Sequence, residues 1–232
     1  MSDDVPPDPT LALLWGRSTE QRSRRKRVLD GDAIVDTAID LADRDGLDAV
    51  VMTAVARPLG CTPMALYRHV RNKDELVALM VERALGEAPA TPATTVRGRL
   101  SEWARALRAV LLAHPWLLHV PLSTMRFGPA RASWFERALE AFETSPVAEV
   151  DKARLVLQLN VYVFGAVRLD TEGRRDDDAG ATLTELLAYL DDRYAAVARV
   201  LAAEIESSSD EDFEFAIERI LDGFDHYLAR AR

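Results

Sequence analysis

One stretch constrains the fold of this chain more than any other: residues 51–76, VMTAVARPLGCTPMALYRHVRNKDEL. Val55, Ala56 and Leu59 recur at helical spacing over 52–59, and the segment stops at Gly60. Thr62-Pro63 follows, an N-cap and then a proline at the first helical position, where its missing N–H would be unpaired anyway. The third helix so started runs to about Val70. Asn72 to Glu75 is a capping-box-like start for a fourth, with Glu three residues after the Asn cap. Upstream, Ile34, Val35, Ala38, Leu41 and Ala42 share one helical face, with Asp36, Asp40 and Asp43 opposite, until Gly46 ends the run. Helix, short glycine turn, helix is the layout of a helix-turn-helix whose second helix can enter a DNA major groove.

The rest of the chain reads helical too. Leu76, Val77, Met80, Val81, Ala84 and Leu85 form one face of the fourth helix. Residues 86–95, with two prolines and no large apolar residue, read as a connection. Further helices are expected at about 96–113, 130–143, 147–169, 182–205 and 211–230, divided at His114-Pro115, Gly128-Pro129, Ser145-Pro146 and Gly173. In the last, Phe213, Ile217, Ile220, Leu221, Phe224 and Leu228 make one stripe that must be buried. The expected fold class is all-α: a flexible basic arm at 1–29, a three-helix DNA-binding domain at 30–86 that includes the start of the connecting helix, and a larger helical domain at 87–232. The lone Cys61 cannot form an intramolecular disulfide, and no signal peptide is evident. The longest apolar stretch, 155–167, contains Gln158 and Asn160 and falls short of the roughly 20 residues a membrane span needs. A cytoplasmic protein without a membrane partner is expected.

The formal net charge is −9, and an acidic surface does not grip phosphate. Positive charge is instead local. Between 17 and 27 six basic residues (Arg17, Arg22, Arg24, Arg25, Lys26 and Arg27) stand against one acid, Glu20; from 57 to 73 there are four basic residues and no acid. The third helix offers Thr62, Tyr67, Arg68 and His69, followed by Arg71 and Lys73, all suitable donors to phosphate oxygens. Pro63, Met64 and Ala65 at its N-terminal end are small or apolar, suited to close approach to base edges and thymine methyls. These residues alone leave two readings open, a groove-reading helix and an ordinary basic solvated face.

Here the sequence resembles a family. Ala56, Leu59-Gly60, Pro63-Met64-Ala65-Leu66-Tyr67, His69-Val70 and Asn72-Lys73-Asp74-Glu75-Leu76 look like the helix-turn-helix signature of TetR-family regulators, over about residues 30–86. The resemblance implies a repressor released from a palindromic double-stranded operator by a small-molecule effector, with no other cofactor. Carried over by position, Thr62, Tyr67, His69 and Lys73 would contact phosphates. Pro63, Met64, Ala65 and Arg68 would face bases or the groove wall, and Leu66 and Val70 would be core. Arg24 and Arg25 in the basic arm would reach an adjacent minor groove, where Arg is electrostatically favoured; a solubilising tail is the other reading. Two positions depart from the pattern. Val51 stands where the family has a capping Thr or Ser, and Pro58 falls within the expected second helix, kinking or shortening it. They motivate an alternative, a ligand-binding or interaction protein of the same fold with weakened DNA binding.

The C-terminal half resembles the tetracycline repressor's own C-terminal domain more loosely, through His114-Pro115-Trp116, the segment 162–168 and the closing 212–223. That resemblance implies a homodimer, with helices about 147–169 and 211–230 pairing across subunits. Trp103, Leu107, Trp116, Trp134, Leu157, Gln158, Val161 and Tyr162, with Phe135, could line an effector pocket in the usual manner of apolar walls and a few polar handles. Plain core is the alternative for each. His114 and His119 are spaced wrongly for one helical face and lack a third ligand, so no metal site is expected. No nucleophile elbow or phosphate-cradling loop supports an enzyme, and Cys61 reads as a packed thiol.

Overall fold

Apolar residues three and four apart along nearly every segment leave this chain one way to bury them, helix against helix. The computed structural model describes residues 8–16, 30–121, 124, 126–173, 188–190, 192–204 and 209–230. Among them there is no strand. The helices are α1 (Pro9–Leu14), α2 (Gly31–Asp45), α3 (Met52–Ala56), α4 (Pro63–Leu66), α5 (Lys73–Leu85), α6 (Val96–Ala113), α7 (Pro129–Glu140), α8 (Glu149–Gly173), α9 (Ala195–Glu204) and α10 (Ser209–Arg230). Short 3-10 turns lie at Leu47–Ala49, Pro115–His119 and Asp192–Tyr194. The chain divides into two compact units, Met1–Pro92 with Ala109–Ala141, and Ala93–Arg108 with Phe142–Arg232. A single cut at 86–95 therefore does not separate them: 109–141 returns to the first unit, and the second boundary falls inside α6.

In the first unit α2 buries Ile34, Val35, Ala38, Ile39 and Ala42. Asp30 caps its start by accepting the Asp32 amide, and Gly46 ends it at φ +84°, a left-handed conformation that glycine adopts without steric cost. Helix α3 contributes Met52, Val55 and Ala56 and stops there, so Pro58 lies in the following turn instead of interrupting a helix. The expected shortening is what the chain does. Asn72 caps α5, its Oδ1 accepting the Glu75 amide at 2.8 Å. Glu75 is buried, pairs with Arg71 at 2.9 Å and accepts the Arg71 amide, one residue upstream of a strict capping box.

The N-terminal segment is not the wholly irregular arm that its prolines suggest. Asp8 accepts the Thr10 amide at 2.8 Å and caps α1, with Pro9 at the first helical position. Leu13 is 4% exposed and α1 packs on α5. Arg24 and Arg25 lie outside the described residues.

The second unit is built on α8 and α10. The expected stripe is buried at Phe213, Ile217, Leu221 and Phe224, beside Val156, Leu159, Val163 and Val167 of α8. Two arginines of α6 join it from the side: Arg97 pairs with Glu218, Asp222 and Asp225, and Arg105 grips Glu214 with two bonds. Those bonds raise the Arg97 guanidinium above its ordinary pKa and lower the Glu214 carboxyl.

Candidate nucleic-acid interface and effector pocket

The chain enters α4 from the Gly60 turn, at φ +62°. Thr62 is the N-cap but makes no side-chain capping bond. Leu66 and Val70 are buried at 0% and 3% exposure, which fixes the opposite face outward. On that face Met64 is 69% and Tyr67 49% exposed, and Thr62, Arg68 and Lys73 are exposed with them; Pro63 and Ala65 are half-buried. Lys73 Nζ lies 3.5 Å from the Leu47 carbonyl and stays open to solvent. The result is a surface with an apolar tip at the helix N-terminus, flanked by a phenol, a hydroxyl and cations.

His69 does not belong to it. Its side chain is 6% exposed, packed inward where the expected phosphate contact needs it outward. The helical segment ends at Leu66, and the His69 amide bonds back to the Leu66 carbonyl at 2.8 Å, turning the imidazole inward beside Val70. Helical spacing carried the signal, since 69 falls three residues after buried Leu66. Val51 caps α3 with no side-chain bond and is 45% exposed.

The eight residues expected around an effector are divided between the two units. Trp116 and Trp134 belong to the first unit and are anchored there: Trp116 Nε1 donates to Asp43 Oδ1 at 2.7 Å and Trp134 Nε1 to the Leu85 carbonyl at 3.2 Å. Trp103 and Leu107 are buried in the second unit. Leu157 and Val161 are 59% and 62% exposed, and Gln158 is exposed beside them, so these three face away from the core of that unit. Helical geometry explains this, because they sit opposite the Val156, Leu159 and Val163 stripe.

Of the set, Tyr162 lines a cavity of about 620 Å³ walled by Tyr162, Gly165, Ala166, Arg168, Leu169, Asp170, Asp212 and Phe213. The Tyr162 and Phe213 rings stack at 5.8 Å between centroids. Behind them Arg108 bridges Asp170 and Asp210, each at 2.8 Å, and its guanidinium lies 4.7 Å from the Phe213 centroid. Burial pulls the Arg108 pKa down, but the two carboxylates more than offset it and the net direction is upward. Burial also raises the Tyr162 phenol, aided by Asp170, so it stays a neutral donor. Sequence reasoning missed Arg108 and Phe213; the charges of Arg168 and Asp170 breaking an apolar helix were the available signal.

Comparison with known proteins places these features in a wider set. Residues 34–80 match the model for bacterial regulatory proteins of the tetR family, and 88–228 the tetracyclin repressor-like C-terminal domain. The HTH-type transcriptional repressor DrrR1 of Streptomyces coeruleorubidus is 31% identical over 235 residues, covering 96% of this chain and 87% of the relative. ActR of Streptomyces coelicolor, solved in complex with actinorhodin, superposes with a TM-score of 0.73 at 27% identity, over 85% of this chain and 97% of that one. BioQ, a protein of Mycobacterium smegmatis solved with its double-stranded DNA operator, gives 0.56 at 25% identity, over 69% and 96%.

Proposed function

This chain belongs to the TetR family of bacterial regulators, and from that premise we propose that it is a dimeric repressor whose α4 surface reads the operator and whose second unit binds the releasing effector. As a member of the family it is a DNA-binding transcriptional regulator modulated by small molecules. The observation that carries the site assignment is the outward face of α4, with Met64 and Tyr67 exposed and Leu66 buried beneath them. Met64, Pro63, Ala65 and Arg68 face the bases; Thr62, Tyr67 and Lys73 hold phosphates. Pro58 lies beyond α3, which removes half the motive for a DNA-binding function in decline.

Two copies are needed because paired half-sites, one helical turn apart, require two recognition helices. What supports pairing through α8 and α10 is their outward apolar surface: Leu157, Val161 and Leu169 on one, Phe215 and Tyr227 on the other. Gly165 and Gly223 lie on these helices where an added Cβ would meet nothing, leaving room for close helix approach. The effector occupies the cavity beside Tyr162 and Phe213, as ActR is solved with a bound compound. The protein works in the cytoplasm; among the described residues no helix is long and apolar enough to cross a membrane.

The test is equilibrium binding to the DNA upstream of its own gene across a salt series. Saturable, sequence-selective binding that weakens linearly with the logarithm of salt is expected, with a shallower slope, by roughly one unit, for Lys73→Ala. Binding that shows neither selectivity nor salt dependence would overturn the reading.

A further inference from the structure

The family match begins at residue 34, yet the chain makes a specific structure before it. We propose that residues 8–16 are a strap that docks in cis across the joint between α5 and α7 and fixes the position of α5, the helix that follows α4 in the chain and starts at Lys73.

Four contacts support it, all inside the first unit. Leu13 is inserted to 4% exposure and α1 lies on α5. At one end of the strap Asp8 pairs with Arg126 at 3.0 Å; at the other Trp15 Nε1 donates to the Phe127 carbonyl at 3.1 Å. A six-residue helix has no stability of its own in water, so docking is what orders α1. The loop it grips, 126–128, is the entry to α7.

That entry is where α5 holds α7. Glu82 of α5 reaches the first turn of α7, its Oε2 accepting the Ala130 amide at 2.7 Å. Gly128 has no side chain to obstruct it, and a Cβ there would overlap the Glu82 carboxyl. The Trp134 indole bonds the Leu85 carbonyl, and the Ala88 amide bonds Ser133 Oγ at 2.8 Å. Three bonds thus tie the C-terminal end of α5 to α7, and the strap closes over the loop beside them. The N-terminal half of α5, joined to α4 through residues 67–72, meanwhile starts at the exposed Lys73 and buries Leu76, Val77 and Met80. Freedom gained at the joint is freedom gained by the reading surface.

The inference uses the DNA-binding reading only for its functional readout, and the exchange readout stands without it. Hydrogen exchange is measured on the full-length wild type, Leu13→Ser and Trp15→Ala. Operator affinity is measured on a duplex that the wild type selects from a random pool. The variants are expected to lose protection about tenfold at the amides of 130–134 and the C-terminal half of α5, with α8 and α10 unchanged. They are also expected to bind the duplex about three- to tenfold more weakly, which a neutral tail would not produce. Unchanged protection at 130–134 would overturn the docking, and lost protection with unchanged affinity would overturn its control of the reading surface. If the wild type selects no duplex, the repressor reading fails, and the strap then stands or falls on exchange at α5 alone.

Discussion

The Asp43 carboxylate on α2 accepts the indole N–H of Trp116 at 2.7 Å and faces His114 Nδ1 at 2.8 Å, so one side chain of the DNA-binding core holds both aromatic members of the His114-Pro115-Trp116 motif. Trp116 is 2% exposed, and its role is to position the 3-10 turn at Pro115–His119 against α2. Trp116→Phe keeps most of the ring and removes the donor. It is expected to lower unfolding stability in urea by about 1–2 kcal/mol, the loss of one bond to a charged acceptor. An unchanged midpoint would show the indole N–H to be idle.

His69 and Lys73 give opposite signatures. His69→Ala opens a gap in the core beneath α4 and should cost about 1–3 kcal/mol of stability while leaving the salt slope of DNA binding unaltered. Lys73→Ala should leave stability within about 0.5 kcal/mol and flatten the slope. Thermal melts and salt titrations of the two variants, side by side, check the assignment; a flattened slope for His69→Ala would return it to the interface.

Glu82 makes the joint sensitive to acidity. Burial raises its carboxyl above the usual range, with the amides of Ala130 and Arg131 and the charge of Arg131 pulling back. Because the folded pKa is raised, its contribution to stability is fullest below the ordinary carboxylate value and is lost as pH rises through the folded value. Glu82→Gln keeps an oxygen for the Ala130 amide without a charge. Wild type should therefore match the variant below the ordinary carboxylate value and fall beneath it as pH rises through the raised folded value. Melting temperatures that run parallel across this series would contradict it.

The outward face of α8 is open to a direct assay. Leu157→Glu alters a residue 59% exposed in the monomer, so the fold should survive. Analytical ultracentrifugation should show the dimer weakened by at least about tenfold, as expected for a charge placed in an interface core. A dimer of undiminished affinity would place the interface elsewhere.

The helices were legible because their signals are local. The cap at Asn72, the proline at the first position of α4, the stop at Gly46 and the spacing of Ile34 to Ala42 each act within a turn or two, and α6 falls where its pattern sets it. The outward placement of Thr62, Met64, Tyr67, Arg68 and Lys73 followed for the same reason. What escaped depends on partners distant in sequence. Trp116 and Trp134 are anchored by Asp43 and Leu85, far upstream, which accept their N–H groups. Arg108 gains its place from Asp170 and Asp210, and α1 exists only on its dock. No window along the chain contains these pairs.

The brevity of α4 has a thermal consequence. Four residues cannot propagate a helix, and its amides owe their order to Leu66 and Val70 being pinned in the core. Local opening of such a segment costs less than global unfolding. On warming, the operator should be released while most of the chain is still folded, which would make derepression by temperature an intrinsic property of this protein, independent of any ligand.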